Sequence, residues 1–276
     1  MPQNRTGYSL RFQHIAPEDP ALGRVALVPW DSDLFGFPVA QFQPEAKQLD
    51  ITQAEEVVLA LPAWLKSNSI CLCSCVIPAD DRLWKSLLPR MGFRFADFAL
   101  RVALNNLQSA DLPPARTALR EAVPEDHDSI QEIAGQAFRH GRFHADPAFP
   151  RELADLRYRR WMANALAGTD PIQRVYVMGE PGRVTGFYHF TVEEATSDLR
   201  LAAVAPEMQR TGLGFDLYLG LLHVLKSLGI RRVVSSISSA NTAVMNLYSM
   251  LGFHFVQPEA AYHWHAGDST ADGVAG

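Results

Sequence analysis

Cysteine is scarce in this sequence, and long apolar runs are missing. The chain has three cysteines, Cys71, Cys73 and Cys75, at alternate positions. On a strand this spacing places all three on one face. A zinc site would need a fourth ligand and more space between its ligands than alternate positions usually give. We therefore expect small buried residues in a reducing compartment. No run of about 18 or more apolar residues occurs, which excludes a transmembrane helix on this pattern.

An excess of basic residues is missing as well. Lys and Arg number 25 against 30 Asp and Glu, which gives a net charge of -5 and a pI near 6.0. A surface for nucleic acid is therefore not expected. The segment Met1–Gly7 lacks the charged and apolar regions of a signal peptide. We expect a cytoplasmic globular protein with no membrane and no nucleic-acid partner.

The apolar periodicity, with its caps and breakers, predicts alternating strands and helices. The predicted strands are 24–29, 37–42, 69–77, 93–104, 118–123, 174–178, 184–192, 199–204 and 231–237, and a last strand holds His263 and His265. The predicted helices are 51–66, 80–91, one opened by Pro124, 151–166 and 215–228. Trp30–Pro38 is predicted as a loop between two strands, in which the aromatics anchor a turn or line an acceptor pocket.

A polar stretch with paired prolines, 105–116, is typical of a linker. We predict an N-terminal domain over 1–110, a C-terminal domain over 117–266 and a flexible tail over 267–276. The two halves share an ending, because Gly92 lies 160 positions before Gly252 and both follow a strand and a short helix. The N-terminal copy is degenerate: Leu88 stands where Tyr248 stands, Asp81 stands where Asn241 stands, and no glycine turn precedes its helix.

The most informative segment is a glycine turn after an apolar strand. Leu201–Val204 is followed by Pro206, then Gln209-Arg-Thr-Gly-Leu-Gly214, and then a helical pattern. Glycines let another group approach the backbone closely, and the unpaired N–H groups at a helix start attract anions. This arrangement favours a pyrophosphate site.

A second segment makes the prediction from the glycine turn more specific. The strand 231–237 leads to a short helix with Asn241 at its start and Tyr248 two turns later, and Gly252 is a natural residue to end it. The two segments, in this order, resemble motifs A and B of the GCN5-related N-acetyltransferase (GNAT) superfamily. The resemblance covers about residues 117–265. It implies an α/β, tandem GNAT-like fold: a mixed central sheet flanked by helices, with a degenerate N-terminal half and a catalytic C-terminal domain.

The resemblance also implies roles for individual residues. Acetyl-CoA would be the co-substrate, a small-molecule amine the acceptor, and no metal would be needed; a homodimer is compatible with it. Tyr248 would protonate the departing thiolate, and the Val204 N–H would hold the thioester oxygen. Asn241 would bind the pantetheine amides. The remaining cofactor-binding residues would act through their backbone: Ala202, Ala203, Val204, Gln209, Arg210, Thr211, Gly212, Leu213 and Gly214. From spacing alone, Tyr248 is equally a packed aromatic on an amphipathic helix.

Three further segments resemble the bacterial amino-sugar acetyltransferases, in particular those acting on dTDP-4-amino-4,6-dideoxygalactose, the dTDP-fucosamine acetyltransferases. They are Trp30–Pro38, the loop 137–147 and the helix that contains Trp161. This resemblance makes Phe143, His144 and Trp161 the expected acceptor-site residues. Gly141 replaces a serine of the family and Leu34 replaces an aromatic.

The base that deprotonates the amine is not fixed by the sequence. His144, His189, Glu193 and Glu194 are all candidates, although a core histidine and a solvated strand end are the commoner roles of the last three. His263 and His265 alternate on the last strand without an evident third metal ligand. Acetylation of another amine (an amino acid, polyamine, antibiotic or protein N-terminus) and a non-catalytic acetyl-CoA-binding regulator remain alternatives.

Overall fold

The computed structural model describes residues 10–16, 18–45, 48–168, 170–209 and 211–267. Arg210 of the glycine turn, and the predicted tail beyond residue 267, lie outside this part of the chain. The strands are β1 Gln13–His14, β2 Arg24–Leu27, β3 Val39–Gln43, β4 Leu72–Pro78, β5 Arg94–Leu104, β6 Arg120–Glu121, β7 Gln173–Glu180, β8 Arg183–Glu193, β9 Thr196–Val204, β10 Arg232–Ser238 and β11 His254–His265. The helices are α1 Pro29–Phe35, α2 Ile51–Ser67, α3 Arg82–Arg90, α4 His127–Ala137, α5 Arg142–Ala145, α6 Arg151–Leu166, α7 Leu213–Ser227 and α8 Thr242–Met250.

These strands form one mixed sheet, in the order β1-β2-β3-β4-β11-β5-β10-β9-β8-β7-β6. The β3–β4 and β9–β10 pairs are parallel, and the other neighbouring pairs are antiparallel. Helices cover both faces, so the mixed α/β sheet predicted from the sequence is confirmed.

The two halves of the chain exchange strands at the centre of this sheet. β4, α3 and β5 begin at 72, 82 and 94, and β10, α8 and β11 begin at 232, 242 and 254, so each pair is 160 residues apart. β11 lies between β4 and β5, whereas β5 lies between β11 and β10. Each half thus completes the sheet of the other. The boundaries at 110 and 117 stay a prediction, because the sheet is continuous across both halves.

The repeated endings have the same local chemistry. Phe253 N–H donates to Tyr248 O and Gly252 N–H to Ser249 O, which is the double hydrogen bond of a glycine-terminated helix. Gly252 has φ +78, the left-handed conformation that this turn requires. The turn at Gly92 repeats both bonds. The internal repeat seen in the sequence therefore has a structural counterpart.

Two expectations about loops were wrong. Pro29–Phe35 is a helix, and it ends at Gly36 with φ +77. Phe35 packs edge-to-face on Phe149, with ring centroids 4.9 Å apart, so this aromatic anchors the fold rather than an open pocket. The stretch 105–116 is also not a free linker. Leu107 is buried, and Gln108 Nε2 donates to the carbonyls of Lys226 and Ile230 at 2.9 and 2.8 Å.

The cysteines meet their expected environment in part. Cys73 and Cys75 are buried in β4, where desolvation raises their thiol pKa and leaves them unreactive. Cys71 precedes the strand and is half-buried. None of the described helices is long and apolar enough to cross a bilayer.

Candidate active site

The sheet opens between β9 and β10, next to the glycine turn. The parallel pairing runs from Arg232 opposite Thr196 to Ser235 opposite Leu199 and then stops. β9 continues beside β8 as far as Val204. The last residues of β9 therefore have a strand on one side only, and their other side is open to a ligand.

Two amides of β9 point into this opening. Ala205 N–H donates to Thr185 O at 2.9 Å, on the β8 side. Because N–H groups alternate between the two sides of a strand, the amides of Ala202 and Val204 face away from β8, and the amide of Ala203 faces β8. An extended amide-containing ligand can pair with Ala202 and Val204 as an added strand.

A β-bulge interrupts β9 immediately before these amides. His189 pairs with Leu201 and Phe190 pairs with Leu199, so Arg200 is the extra residue. Bulges bend a strand and redirect side chains. The bulge therefore coincides with the point where β9 leaves β10.

The glycine turn opens α7 as predicted. Gly212 is the N-cap with φ +88, and the first helical hydrogen bonds, from Phe215 and Asp216, both end on its carbonyl. The amides of Gly212, Leu213 and Gly214 precede those bonds and point out of the helix. A Cβ at Gly212 or Gly214 would meet no described atom within 4 Å. The open space and exposed amides suit a pyrophosphate.

Two residues of this turn are already engaged. Gln209 N–H donates to Pro206 O at 3.3 Å, and Thr211 Oγ1 donates to Met208 O at 2.7 Å. These bonds hold the turn in shape. The bond of Gln209 uses its amide, whereas the bond of Thr211 uses its side chain.

Asn241 caps the helix that carries Tyr248. Its Oδ1 accepts a hydrogen bond from Val244 N–H at 3.2 Å. Asp81 does the same for Trp84 N–H at 3.0 Å in the N-terminal half. The cap uses the oxygen of Asn241 and not its Nδ2 group, which is the group that the predicted contact with a pantetheine carbonyl would use.

Tyr248 lies in a buried cluster of hydroxyl groups. It is 2% exposed, and its hydroxyl interacts with the hydroxyl groups of Ser235, Tyr188 and Tyr218. Burial raises its pKa above the ordinary value for tyrosine, which keeps the phenol protonated at neutral pH. Tyr188 stands opposite Ala202 in the β8–β9 ladder, so the cluster lies beside the opening in the sheet.

The residues expected at the acceptor site belong to α5 and α6, on the face of the sheet opposite α7. His144 Nε2 contacts Asp155 Oδ1 at 2.9 Å, and its ring stacks on Tyr158. Trp161 lies edge-on to His189, with ring centroids 6.4 Å apart. Phe143 is 5% exposed. It is enclosed by Phe35, Phe149 and His263, an environment that favours packing over sugar contact.

The four candidate bases separate clearly. His189 is buried and bonded to Gln173 Oε1 at 3.0 Å, and desolvation lowers its pKa to about 3. It is the core histidine that the sequence favoured. Glu193 and Glu194 are exposed at the β8–β9 turn, which is about 26 Å along β9 from Val204 at 3.3 Å per residue. His144 is the candidate that lies among the acceptor-site residues.

A buried carboxylate that the sequence analysis missed is Asp97 on β5. Its Oδ1 accepts from Ser238 Oγ at 2.8 Å, at the end of β10. Burial raises its pKa, and the nearby Arg142 and His140 act in the opposite direction. The signal was present, since Asp97 is an isolated acid in an apolar strand.

His263 and His265 do have a third possible metal ligand beside them. Asp146 Oδ2 lies 2.6 Å from His263 Nδ1 and 2.7 Å from His265 Nε2, and the three form one cluster of possible ligands. Burial acts to raise the pKa of Asp146, but the hydrogen bonds from the two histidines hold it well below its ordinary range. The distances are those of hydrogen bonds, which tie the loop after α5 to β11.

This chain is similar to known proteins in sequence and in fold. Residues 128–253 match the model of the Acetyltransferase (GNAT) family. The solved structure of a GCN5-related N-acetyltransferase from Sphaerobacter thermophilus superposes with a TM-score of 0.64 at 15% identity, over 91% of this chain and 78% of that one. The fold is that of the GNAT acetyltransferases. A tandem GNAT protein from the clavulanic acid biosynthesis pathway also superposes, with a TM-score of 0.57 at 15% identity, over 89% of this chain and 79% of that one.

Among curated relatives of this GNAT-fold chain is a mycothiol acetyltransferase from Pseudarthrobacter chlorophenolicus. It is 32% identical over 63% of this chain, and the match spans 61% of the relative's own length. Relatives from Nocardia farcinica and Rhodococcus jostii carry the same name, and none of these three is named as a dTDP-amino-sugar enzyme. The finer resemblance to the dTDP-fucosamine acetyltransferases is therefore not supported.

Proposed function

We propose that this chain transfers an acetyl group from acetyl-CoA to a primary amine by direct attack in a ternary complex. The observation that carries the proposal is the opening between β9 and β10. It exposes the amides of Ala202 and Val204 between the glycine turn of α7 and the hydroxyl of Tyr248. The residues fit acetyl-CoA, because the open glycines and outward amides suit its pyrophosphate and pantetheine amides.

The two outward amides of β9 lie at different distances from the proposed acid. Tyr188 interacts with the Tyr248 hydroxyl and stands opposite Ala202, so Ala202 N–H is the donor nearer the proposed acid. Val204 N–H lies about 7 Å closer to the glycine turn, at two residues of strand rise. Ala202 N–H therefore suits the thioester oxygen. Val204 N–H is the donor that the sequence analysis named for that oxygen, and its position also suits a contact with the pantetheine arm.

Acetyl-CoA supplies an activated acyl group. The chain itself needs to position the substrates, polarise the thioester carbonyl and protonate the departing thiolate. Tyr248 donates its proton to the departing thiolate, since burial keeps the phenol protonated. His144 is the proposed base for the ammonium group, directly or through water. Asn241 Nδ2 and the amides of Gly212 and Gly214 hold the remainder of the co-substrate.

The acceptor is proposed to be a small amine. The name shared by the curated relatives puts mycothiol lacking its acetyl group first among the compounds to test. A dTDP-linked deoxyamino sugar comes second, on the resemblance of the segments around Trp30, 137–147 and Trp161. Amino acids, polyamines, antibiotics and peptide N-termini complete the panel.

The test is release of the CoA thiol by purified protein with acetyl-CoA and each member of this panel. Release with an amine, together with mass-spectrometric detection of the N-acetyl product, supports the proposal. Tight binding of acetyl-CoA without release on any acceptor contradicts it and favours a regulator.

A further inference from the structure

Arg200, the extra residue of the β9 bulge, is a buried cation whose ion pair with Asp198 leaves two of its nitrogen atoms without a partner among the described residues. Its side chain is 6% exposed, and Nη2 lies 3.6 Å from Asp198 Oδ2, beyond hydrogen-bond distance. Nε and Nη1 have no hydrogen-bond partner among the described residues. A guanidinium with unmet donors is costly to bury, so acceptors at Nε and Nη1 would stabilise it beyond what the ion pair with Asp198 supplies.

The bulge turns Arg200 to the acceptor face of the sheet. The guanidinium is close enough to His189 to lower the pKa of that ring, and His189 lies edge-on to Trp161. Leu201 packs in the core under α4 and α6, whereas Ala202 and Val204 pack toward α7. Arg200 therefore lies on the side opposite the cluster of Tyr248 and at the other end of the opening from Gly212.

The neighbouring unmet atoms include one acceptor, since His189 Nε2–H donates to Gln173 Oε1 and leaves Nδ1 without a partner among the described residues. The others can donate. Trp161 Nε1 is buried and lacks a partner among the described residues, and Ser236 Oγ is in the same state. Ser235 is the last residue of β10 that pairs with β9, opposite Leu199, so Ser236 and Arg200 are the next residues of the two strands. Trp and Arg can only donate. A ligand that satisfies this set must bring oxygen acceptors, and a desolvated guanidinium favours a charged one.

We propose that Arg200 and Trp161 form an anion subsite that binds a carboxylate or phosphate carried by the amine acceptor, close to the amine. The assignment of the ligand as the acceptor rests on the proposed acetyl transfer, and it favours an anionic amine over mycothiol lacking its acetyl group, which carries neither a carboxylate nor a phosphate. The subsite itself rests on the bulge, the buried guanidinium and the donors around it. Arg200 is a specificity-determining residue on this view, and it takes no part in moving protons.

The experiment compares the binding of charged and neutral amines by calorimetry in the presence of CoA, which cannot turn over. The probes are L-serine against L-serinamide, for a carboxylate, and glucosamine 6-phosphate against glucosamine, for a phosphate. The wild-type protein is expected to bind the charged member of one pair about 10- to 100-fold more tightly, the range of a charged hydrogen bond. Which pair shows the preference identifies the source of the anion.

The variants decide whether Arg200 is responsible. Arg200→Gln is expected to abolish the preference, and Arg200→Lys, which keeps the charge, to retain part of it. Arg183→Gln, at an exposed arginine of β8, is the matched control and should keep it. No preference in the wild-type protein, or a preference that survives in Arg200→Gln, overturns the subsite.

These outcomes separate the subsite from the proposed function. An Arg200-dependent preference without acetylation of any amine leaves the subsite and removes the acetyl transfer. Acetylation confined to neutral amines, with no Arg200-dependent preference, leaves the transfer and overturns the subsite.

Discussion

The ring of Tyr218 meets the ring of Tyr248 edge-to-face, with centroids 5.4 Å apart and an interplanar angle of 81°. Tyr218 belongs to α7, the helix of the glycine turn, and Tyr248 belongs to α8. The contact therefore fixes the proposed acid relative to the proposed pyrophosphate site. It also confirms that Tyr248 is a packed aromatic of α8, and its role as the acid stays a prediction.

Removal of the Tyr248 hydroxyl tests its role as the acid. Tyr248→Phe keeps the ring packing, and we expect it to lower kcat by about 10²-fold or more, the contribution of general acid catalysis. The affinity for acetyl-CoA should not change. Tyr176→Phe, at a half-buried tyrosine of β7, is the control. Unchanged turnover in Tyr248→Phe would remove this residue from the mechanism.

The two glycines of the turn should respond differently to alanine. Gly212 has φ +88, so Gly212→Ala is expected to cost about 1–2 kcal/mol of stability through left-handed strain. Gly214 lies inside α7 with open space around it, so Gly214→Ala should stabilise the helix by up to about 1 kcal/mol. Both should raise the KM for acetyl-CoA if the backbone approaches the pyrophosphate. Thermal unfolding and steady-state kinetics measure the two effects separately, and an unchanged KM in both variants would count against the phosphate site.

His144 is expected to act on the acceptor and not on acetyl-CoA. His144→Ala removes the contact with Asp155 Oδ1, and we expect a lower kcat/KM for the amine with an unchanged KM for acetyl-CoA. The rate deficit should be partly relieved at high pH, where the amine deprotonates without a base. His254→Ala, at an exposed histidine of β11, serves as the control. Equal effects on both substrates would indicate a purely structural role.

Asp126 should control stability at acid pH. Its carboxylate accepts hydrogen bonds from Arg120 Nη1 and Nη2, at 2.6 and 2.9 Å, and from the amides of Val123 and Gly182, both at 2.9 Å. The bonds from Arg120 lower the pKa of Asp126 from 3.8 to about 2. Because the folded-state value is the lower one, the stabilisation is complete above about pH 4 and is lost as the pH falls toward 2.

We therefore expect Asp126→Asn to lower the free energy of unfolding at pH 7 by about 2–4 kcal/mol, since it leaves Arg120 without its counter-ion. The loss should shrink as the pH approaches 2. Urea unfolding at several pH values measures both, with Glu125→Gln at the exposed neighbour as the control. A loss that is the same at pH 7 and pH 2 would show that the charge is not what matters.

The sequence by itself determined the local elements and the chemistry that they carry. The turn ending in Gly212 and Gly214, the cap at Asn241 and the helix end at Gly252 were all readable, because each depends on a few consecutive residues and their backbone preferences. The alternation of strands and helices followed from apolar periodicity for the same reason. The short helix Pro29–Phe35 was missed, because its aromatics become buried only through contacts with the distant Phe149.

Only the tertiary structure decided how these pieces meet. The exchange of β5 and β11, the bulge at Arg200 and the hydrogen bonds from His263 and His265 to Asp146 join segments far apart in the chain. The position of Asp97 beside Ser238 has the same origin. Such contacts depend on strand register and on which face of the sheet a side chain occupies, and a shift of one residue reverses that face. Local preference carries no record of that choice, so the acceptor side of the site became visible only in the folded chain.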